Sequence, residues 1–301
     1  MLISMESYLE EDPTMTLEQI KVNILADHGA TLSVSTISRH LIGMTYTVKQ
    51  VRHEKETMNS IENKIERRVF VEELERYRNE GCVIVYCDET NYNCYIARSV
   101  GRAKEGKRAV SVVPTSKGKN LMIQCAVSNG MGLVEVNYVF DKIDMDMNAS
   151  FLLDTFIAAL KWADQQPNYV GKKIVLVIDN AGAHERSEDL VPDRLLEYNP
   201  PLPRDRLVIL RLGAYSPMCN PIESCFSVLK SQVKSFMSAN VHRLRFIPIG
   251  GTIEGKKRAL LLEAATTHIG CITPTLVVNE EIHCAKWWER AKNMEDMRLG
   301  E

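Results

Sequence analysis

The chain has 301 residues, 45% of them hydrophobic and 25% charged, and this balance excludes a wholly disordered protein. Its 37 basic residues face 39 acidic ones, so a uniformly basic surface for nucleic acid is excluded, while a local basic patch is not. No run of residues is long and apolar enough to span a bilayer, and the acidic segment 1–12 lacks the features of a signal peptide, so we expect no membrane partner.

The cysteines indicate a reduced protein. They include no C-x-x-C pair, and most of them lie in apolar runs, as buried thiols do. We therefore expect a nuclear protein if the host is eukaryotic and a cytoplasmic one otherwise. Cys284 beside His283 is the one weak indication of a zinc site.

Two short helices are predicted in a first module, residues 1–53. Thr16 and Gln19 fit a capping box for the first helix, which ends near Gly29. Ser33 can cap the second helix, and together the two form a helix-turn-helix candidate. The second helix carries the small polar and basic side chains that a reader of the DNA major groove needs, namely Ser35, Thr36, Ser38, Arg39 and His40. A plain helical hairpin has the same spacing, and spacing alone slightly favours that alternative.

One long, densely charged helix is predicted next, over 54–79, as a linker ending near Gly81. Its apolar stripe is predicted to be Met58, Ile61, Ile65, Val69 and Leu74.

Beyond this linker the pattern changes to short apolar runs that are typical of buried strands. Strands are predicted at 82–87, 109–113, 121–127, 133–140, 173–178 and 207–212. Helices are predicted at 148–164 and 222–236, with an irregular Pro-rich loop at 192–206. This order indicates an α/β protein in which helices flank a mixed sheet. Near the C-terminus, Trp287 and Trp288 are expected to pack within an amphipathic helix.

Three acidic residues are expected to meet in this sheet. Asp88 and Asp179 follow predicted strands, and Glu223 opens a predicted helix. If the two strands are neighbours, the aspartates lie side by side and the helix brings the glutamate over them. Clustered carboxylates repel one another, so an oxygen-preferring cation such as Mg²⁺ or Mn²⁺ is their natural partner. Taken singly, each acid could equally cap a turn or a helix.

The strings around these acids are YCDETNY at 86–92, VIDNAGAH at 177–184 and YSPMCNPIES at 215–224. In this order, on strand, strand and helix, they resemble the DDE transposases of the mariner superfamily. The helix-turn-helix string at 34–41 resembles the DNA-binding part of the same proteins. The resemblance covers most of residues 15–240.

The resemblance implies an RNase H-like catalytic core, here 81–240, preceded by a small all-α helix-turn-helix module and followed by a helical extension at 241–301. It implies a catalytic and metal-binding triad of Asp88, Asp179 and Glu223 with two Mg²⁺ (or Mn²⁺) ions. The implied reaction is hydrolysis at the ends of an element, followed by attack of the freed 3′-hydroxyl on target DNA. The implied partners are double-stranded DNA, as transposon terminal repeats and target DNA, and a second copy of the chain in a homodimer.

Further residues are candidates for supporting roles. Active-site support is predicted for Asn180, for Asn220, which shapes the turn before Glu223, and for His184, for which capping of a helix is an equal alternative. Glu89 is expected to point away from the metal. Residues 98–119 contain seven basic residues and one acidic residue, a composition that by itself favours a solvated hairpin loop. Because the segment follows the first catalytic strand that the resemblance implies, we expect it to contact DNA phosphates. The predicted DNA contacts outside the first module are Arg102, Lys104, Lys107, Arg108, Lys230 and Lys234.

Two departures from the family pattern leave alternatives open. The 43 residues between Asp179 and Glu223 exceed the family's commonest spacing, and one helix-turn-helix unit is found where the family usually has two. We therefore expect the first module to be incomplete. The main alternative is a domesticated, non-enzymatic DNA-binding protein derived from a transposase. A nuclease acting on RNA–DNA hybrids is weaker, because it does not explain the first module.

Overall fold

The computed structural model describes residues 1–49, 55–93, 104–108, 120–140, 142–180, 186–245 and 251–298. These residues form two compact units, an N-terminal unit (Met1–Lys55) and a sheet unit (Glu56–Arg298). Among the described helices, none has by itself the length and apolar character of a membrane span. One pair passes that test together, Ile253–Cys271 with Pro274–Lys292, and it is bent by 78°.

The N-terminal unit contains three helices, α1 (Leu2–Glu11), α2 (Leu17–His28) and α3 (Val34–Gly43). The predicted start signals are confirmed, because Thr16 and Gln19 form a capping box and the Ser33 hydroxyl accepts the Thr36 N–H. The helix α1 was not predicted from the sequence. Its Met5 is buried with two side chains from each of the other helices, so α1 completes a small core. Of the five predicted DNA-contacting residues on α3, all lie outside this core.

The linker helix has its buried face in a different place from the prediction. After a 3₁₀ turn at Glu56–Asn59, α4 spans Ile61–Asn79. Three predicted core positions are exposed, namely Ile61, Ile65 and Val69. The buried face is instead Arg67, Phe70, Val71, Leu74 and Tyr77. Two stripes share the helical period, and the helix buries the one with two aromatic rings.

Arg67 explains how a charged residue joins that buried face. Its guanidinium Nη2 donates to the Met58 carbonyl at 2.8 Å and to the Asn59 side chain at 3.2 Å, while its Nε donates to the Asn63 carbonyl at 3.2 Å. These acceptors replace water around the buried cation. Hydrophobicity alone would place this arginine in solvent, which is why the sequence pattern indicated the wrong face.

The centre of the sheet unit is a mixed five-stranded sheet of order β3-β2-β1-β4-β5. Its strands are β1 (Val83–Tyr92), β2 (Leu121–Ser128), β3 (Gly132–Val139), β4 (Ile174–Ile178) and β5 (Leu207–Arg211). β1 pairs antiparallel with β2 and parallel with β4, which also pairs parallel with β5. The predicted strand at 109–113 lies outside the described residues. β1 is longer than predicted, so Asp88 lies within the strand rather than after it, because Thr90 and Tyr92 continue its buried face.

Helices cover both faces of the sheet. One face packs on α5 (Met145–Gln165) and α6 (Ser187–Leu195), and the other packs on α4, α7 (Pro221–Ala239) and α9 (Pro274–Lys292). α8 (Ile253–His268) packs against α7. The helices predicted as a linker and as a C-terminal extension thus pack within one compact unit. The domain boundaries drawn from the sequence stay predictions.

Two local predictions are corrected or refined here. The predicted irregular loop at 192–206 begins too early, since Pro192 is buried inside α6, where apolar packing holds the proline within a short helix. The seven cysteines of the described residues carry free thiols, and six of them are buried as predicted. Cys284 is buried whereas the adjacent His283 is exposed, so this pair does not converge on one metal.

Gly213 lies where the loop after β5 meets α4. A Cβ atom there would lie 2.6 Å from both the backbone nitrogen and the Cα of Arg67, which cannot move without bending the helix. We expect Gly213→Ala to lower the free energy of unfolding by about 1–3 kcal/mol, measured by urea denaturation. Gly270→Ala is the control, because nothing lies within 4 Å of its added Cβ. Equal urea midpoints for the two variants would contradict the close packing.

Candidate active site

The pairing of β1 with β4 places two aspartates on one face of the sheet. Tyr86 lies opposite Val177 in the parallel register, and Asp88 and Asp179 each follow two residues later. Side chains alternate along a strand, so each aspartate shares the face of the residue two before it. Tyr86 and Val177 both belong to the core beneath α4, α7 and α9. Both aspartates therefore lie on the side of the sheet that α7 covers.

The third carboxylate reaches this place through a turn and a helix start. A 3₁₀ turn at Pro217–Cys219 leads into α7, whose N-cap residue is Asn220. The Asn220 side-chain oxygen accepts the Ile222 N–H at 3.5 Å, as expected from its predicted role in shaping the turn. Glu223 then lies in the first helical turn, where the partial positive charge of the helix N-terminus favours a negative charge.

Asp88, Asp179 and Glu223 line one cavity of about 530 Å³. The remaining wall is formed by Glu89, Asn180, Leu212, Gly213, Ala214, Tyr215, Ser216, Pro217 and Asn220. A larger groove of about 1350 Å³ in the N-terminal unit has no acidic residue in its lining. The structure therefore brings the three predicted acids to the lining of one cavity.

Burial and nearby negative charge raise the pKa of two of these acids, Asp88 and Glu223. Burial, followed by the nearby charges of Glu223 and Asp179, raises the pKa of Asp88 to about 8, although its side chain accepts the Glu89 N–H at 2.7 Å. Burial also raises the pKa of Glu223, while the positive charge of Lys230 opposes that rise. Such perturbed acids in a cleft are characteristic of functional sites.

The donor set fits a hard divalent cation. All three side chains offer carboxylate oxygens, which Mg²⁺ and Mn²⁺ prefer. Within the part of the chain that the structure describes, no group of three or more His, Cys, Asp or Glu side chains is already arranged to hold a metal ion. Three converging carboxylates repel one another, so a cation is what would draw them together. Asp88, Asp179 and Glu223 are the residues that could hold it.

The neighbouring residues differ in how they contribute. The Asn180 amide donates to the Leu212 carbonyl at 2.8 Å, which ties the end of β4 to the cavity wall. Glu89 lies in the wall of the same cavity, and its predicted orientation away from a metal stays a prediction. His184 lies outside the described residues.

The loop Leu212–Ala214 and the residue that anchors it were not predicted from the sequence. The Ala214 N–H donates to the Glu66 carboxylate at 3.3 Å, so α4 holds one wall of the cavity. Tyr215, in the same wall, has a positive φ of 53°. Gly213, a glycine directly after the strand predicted at 207–212, was the available signal for close backbone packing.

The basic candidates near the site lie along α7. Glu223, Ser227, Lys230 and Lys234 are spaced by four, three and four residues, so they share one face of the helix. The Lys230 ammonium lies 5.9 Å from the centre of the Tyr92 ring, at the end of β1. Lys104, Lys107 and Arg108 are exposed, and Arg102 lies outside the described residues.

Comparisons with known proteins identify the family and the fold of the chain. The family model of the DDE superfamily endonuclease matches residues 83–245, which is more than half of the chain. A comparison with curated proteins finds no match.

Three solved structures share the fold. "Mos1 transposase paired-end complex with left transposon end" matches with 18% identity and a TM-score of 0.62, over 97% of this chain and 78% of that chain. "Crystal structure of the Mos1 mariner paired end complex with Mn" matches with 18% identity and a TM-score of 0.63, over the same shares of each chain. "Crystal structure of the Mos1 Strand Transfer Complex" matches with 16% identity and a TM-score of 0.62, over 99% and 79%. The chain belongs to the DDE superfamily endonucleases, and its fold is the RNase H-like fold of the Mos1 mariner transposase.

Proposed function

We propose that this protein is a DNA transposase, or an endonuclease derived from one, that cleaves DNA and transfers strands at transposon ends. Asp88, Asp179 and Glu223 are its catalytic residues. The observation that carries the proposal is their convergence in one cavity, where burial and like charge raise the pKa of Asp88 to about 8. Burying acids beside one another costs free energy, which a purely structural acid would not recover. A cation site, in contrast, requires several carboxylates that converge.

The same three residues would hold Mg²⁺ or Mn²⁺, as two ions. Mos1 relatives were solved with Mn and with Mg, which supports a divalent metal here. When bound, such ions stabilise the attacking and leaving oxygens at phosphorus. The chain's own side chains would bind the ions and orient them. The three carboxylates converge on the cavity, and Lys230 favours the ionised form of Glu223. Asn220 fixes the start of the helix that carries that glutamate.

Double-stranded DNA is the proposed substrate, as transposon terminal repeats and target DNA. The Mos1 transposase was solved in a paired-end complex with a left transposon end and in a Strand Transfer Complex, which supports this assignment. On α3, Ser35, Arg39 and His40 are exposed, as residues that contact base edges must be. We further propose a homodimer, and a nuclear location if the host is eukaryotic or a cytoplasmic one otherwise.

The proposal is tested by nicking of supercoiled plasmid by the full chain, in Mn²⁺ and in Mg²⁺, with chelator as the control. We expect nicked and linear plasmid in either ion and intact plasmid with chelator. A folded protein that binds the plasmid but leaves it intact in both ions would refute the enzymatic function. That outcome would favour the domesticated DNA-binding protein instead.

Lys230 and Lys234 are expected to contact DNA phosphates beside the carboxylate cavity. Replacing both with Gln should reduce the slope of log K against log salt concentration by up to about 2 for non-specific duplex, because each lost phosphate contact removes about 0.9. The measurement is fluorescence anisotropy over a salt series. Lys161→Gln with Lys173→Gln is the matched control, since Lys161 lies on α5, across the sheet, and Lys173 precedes β4. Equal slopes for the two double variants would mean that Lys230 and Lys234 do not contact DNA phosphates.

A further inference from the structure

The C-terminal helix reaches the turn that precedes Glu223 through a buried hydrogen bond. Trp288 on α9 is 6% exposed, and its indole Nε1–H donates to the Cys219 carbonyl at 3.0 Å. The adjacent Trp287 is equally buried, at 4%, but its ring lies against Lys286 and Arg290, with ring-centre distances of 5.0 and 4.9 Å. Neighbouring tryptophans thus have different surroundings, and one of them contacts the backbone next to the cavity.

The position of Cys219 gives this bond its significance. Cys219 ends the 3₁₀ turn, and the N–H of the following peptide, from Asn220, donates to the Pro217 carbonyl at 3.0 Å. The peptide group between Cys219 and Asn220 is therefore held at its oxygen by Trp288 and at its nitrogen by Pro217. Since peptide groups are planar, the two bonds together set the orientation of this unit.

The orientation of this peptide group affects the position of Glu223. Asn220 is the N-cap of α7, and the Glu223 N–H donates to the Asn220 carbonyl at 3.3 Å. A rotation of the peptide would move the cap and the first turn of the helix together, because the cap carbonyl accepts the first bond of that turn. Glu223 lies in that turn, so a small rotation would displace its carboxylate from the two aspartates.

We propose that Trp288 is a positioning residue: its indole N–H orients the turn that places Glu223 at the carboxylate cluster. The inference depends on the proposed function only for the role of Glu223. The competing explanation is that Trp288 merely fills the core, where the Arg78 guanidinium also lies 4.9 Å from its ring centre. The two explanations differ in what removal of the N–H alone should do.

The first experiment compares Trp288→Phe with Trp287→Phe in the full metal-free chain, by hydrogen–deuterium exchange over residues 217–223. We expect exchange in this segment to become about tenfold faster or more in Trp288→Phe, because a buried carbonyl has lost its donor. In Trp287→Phe we expect a change of less than about twofold. Equal exchange in the two variants would overturn the proposal. Thermal unfolding of both variants checks that the comparison is between folded proteins.

The second experiment remains decisive even if Trp288→Phe does not fold. It replaces each tryptophan in turn with 3-benzothienylalanine, which exchanges the indole N–H for sulfur and keeps the ring shape. Mn²⁺ binding, followed by electron paramagnetic resonance of the free ion, is the functional readout. We expect the half-saturating concentration to rise about three- to tenfold for the change at 288 and to stay constant for the change at 287. Unaltered exchange and Mn²⁺ binding at 288 would overturn the positioning role. Absence of plasmid nicking by the wild type would count against the proposed function alone, because the exchange result requires neither metal nor cleavage.

Discussion

Asp179→Asn is expected to lower Mn²⁺-dependent nicking of plasmid by at least about a thousandfold, while the affinity for DNA changes by less than about threefold. An amide keeps the size of the side chain but removes the charge that holds a cation. The loss of several kcal/mol of charge stabilisation corresponds to about three powers of ten in rate. The same result is expected for Asp88→Asn, because each aspartate lies two residues beyond the paired residues Tyr86 and Val177 of neighbouring parallel strands.

Asp154→Asn is the matched control for this experiment. Asp154 is an exposed carboxylate on α5, across the sheet from the cavity, and its replacement should leave the nicking rate within about twofold of the wild type. DNA affinity is measured in parallel in Ca²⁺, with which binding can be followed without turnover. If Asp179→Asn loses binding and cleavage to the same degree, the aspartate has a structural role and the proposed triad is wrong.

Asp88→Asn is also expected to stabilise the metal-free protein above neutral pH. The pKa of Asp88 is about 8 in the folded protein and about 3.9 in an unfolded chain. Between these values the folded state binds the extra proton, so the free energy of unfolding of the wild type falls as the pH rises from about 4 to about 8. Asparagine has no proton to lose and retains an oxygen to accept the Glu89 N–H. The variant therefore lacks this part of the decline, and the raised pKa of Glu223 acts in the same direction in the wild type.

The expected difference at pH 8 is about 1–3 kcal/mol, since solvent reaches this partly exposed site, or a rise in Tm of about 3–10 °C. It should shrink towards zero near pH 4. The measurement is urea denaturation at several pH values, with chelator and with Mn²⁺. Mn²⁺ should stabilise the wild type more strongly as the pH rises, because its ligands must lose their protons first. A stability difference that is independent of pH would mean that the carboxyl group of Asp88 is not buried among like charges.

Local patterns were sufficient for much of the framework. The capping box at Thr16 and the apolar runs of β2, β4 and β5 predicted elements that the structure contains, because caps and continuous apolar runs act through near neighbours in the chain. The three acids were identified from the strings around them. Their meeting was conditional on the pairing of two strands, and that pairing is present.

Tertiary packing decided what local patterns left open. α4 offers two apolar stripes of equal period, and packing against the sheet and α9 selects the one containing Phe70 and Tyr77. β1 continues past Asp88 because Tyr92 is buried with residues of α7, a contact across more than a hundred residues of chain. Residues distant in sequence contact the segments around the cavity, since Glu66 accepts the Ala214 N–H and Trp288 donates to the Cys219 carbonyl.

The sequence by itself thus determined the α/β class, most element positions and the identity of the three acids, since these depend on residue type and short-range spacing. The tertiary structure alone decided which helix face is buried, that Asp88 lies inside a strand, and which distant side chains orient the turn before Glu223. Such contacts depend on which surfaces meet when the chain closes on itself, and the stabilisation comes from burial at those surfaces. The periodicity of residues within a single segment does not show which surfaces will meet.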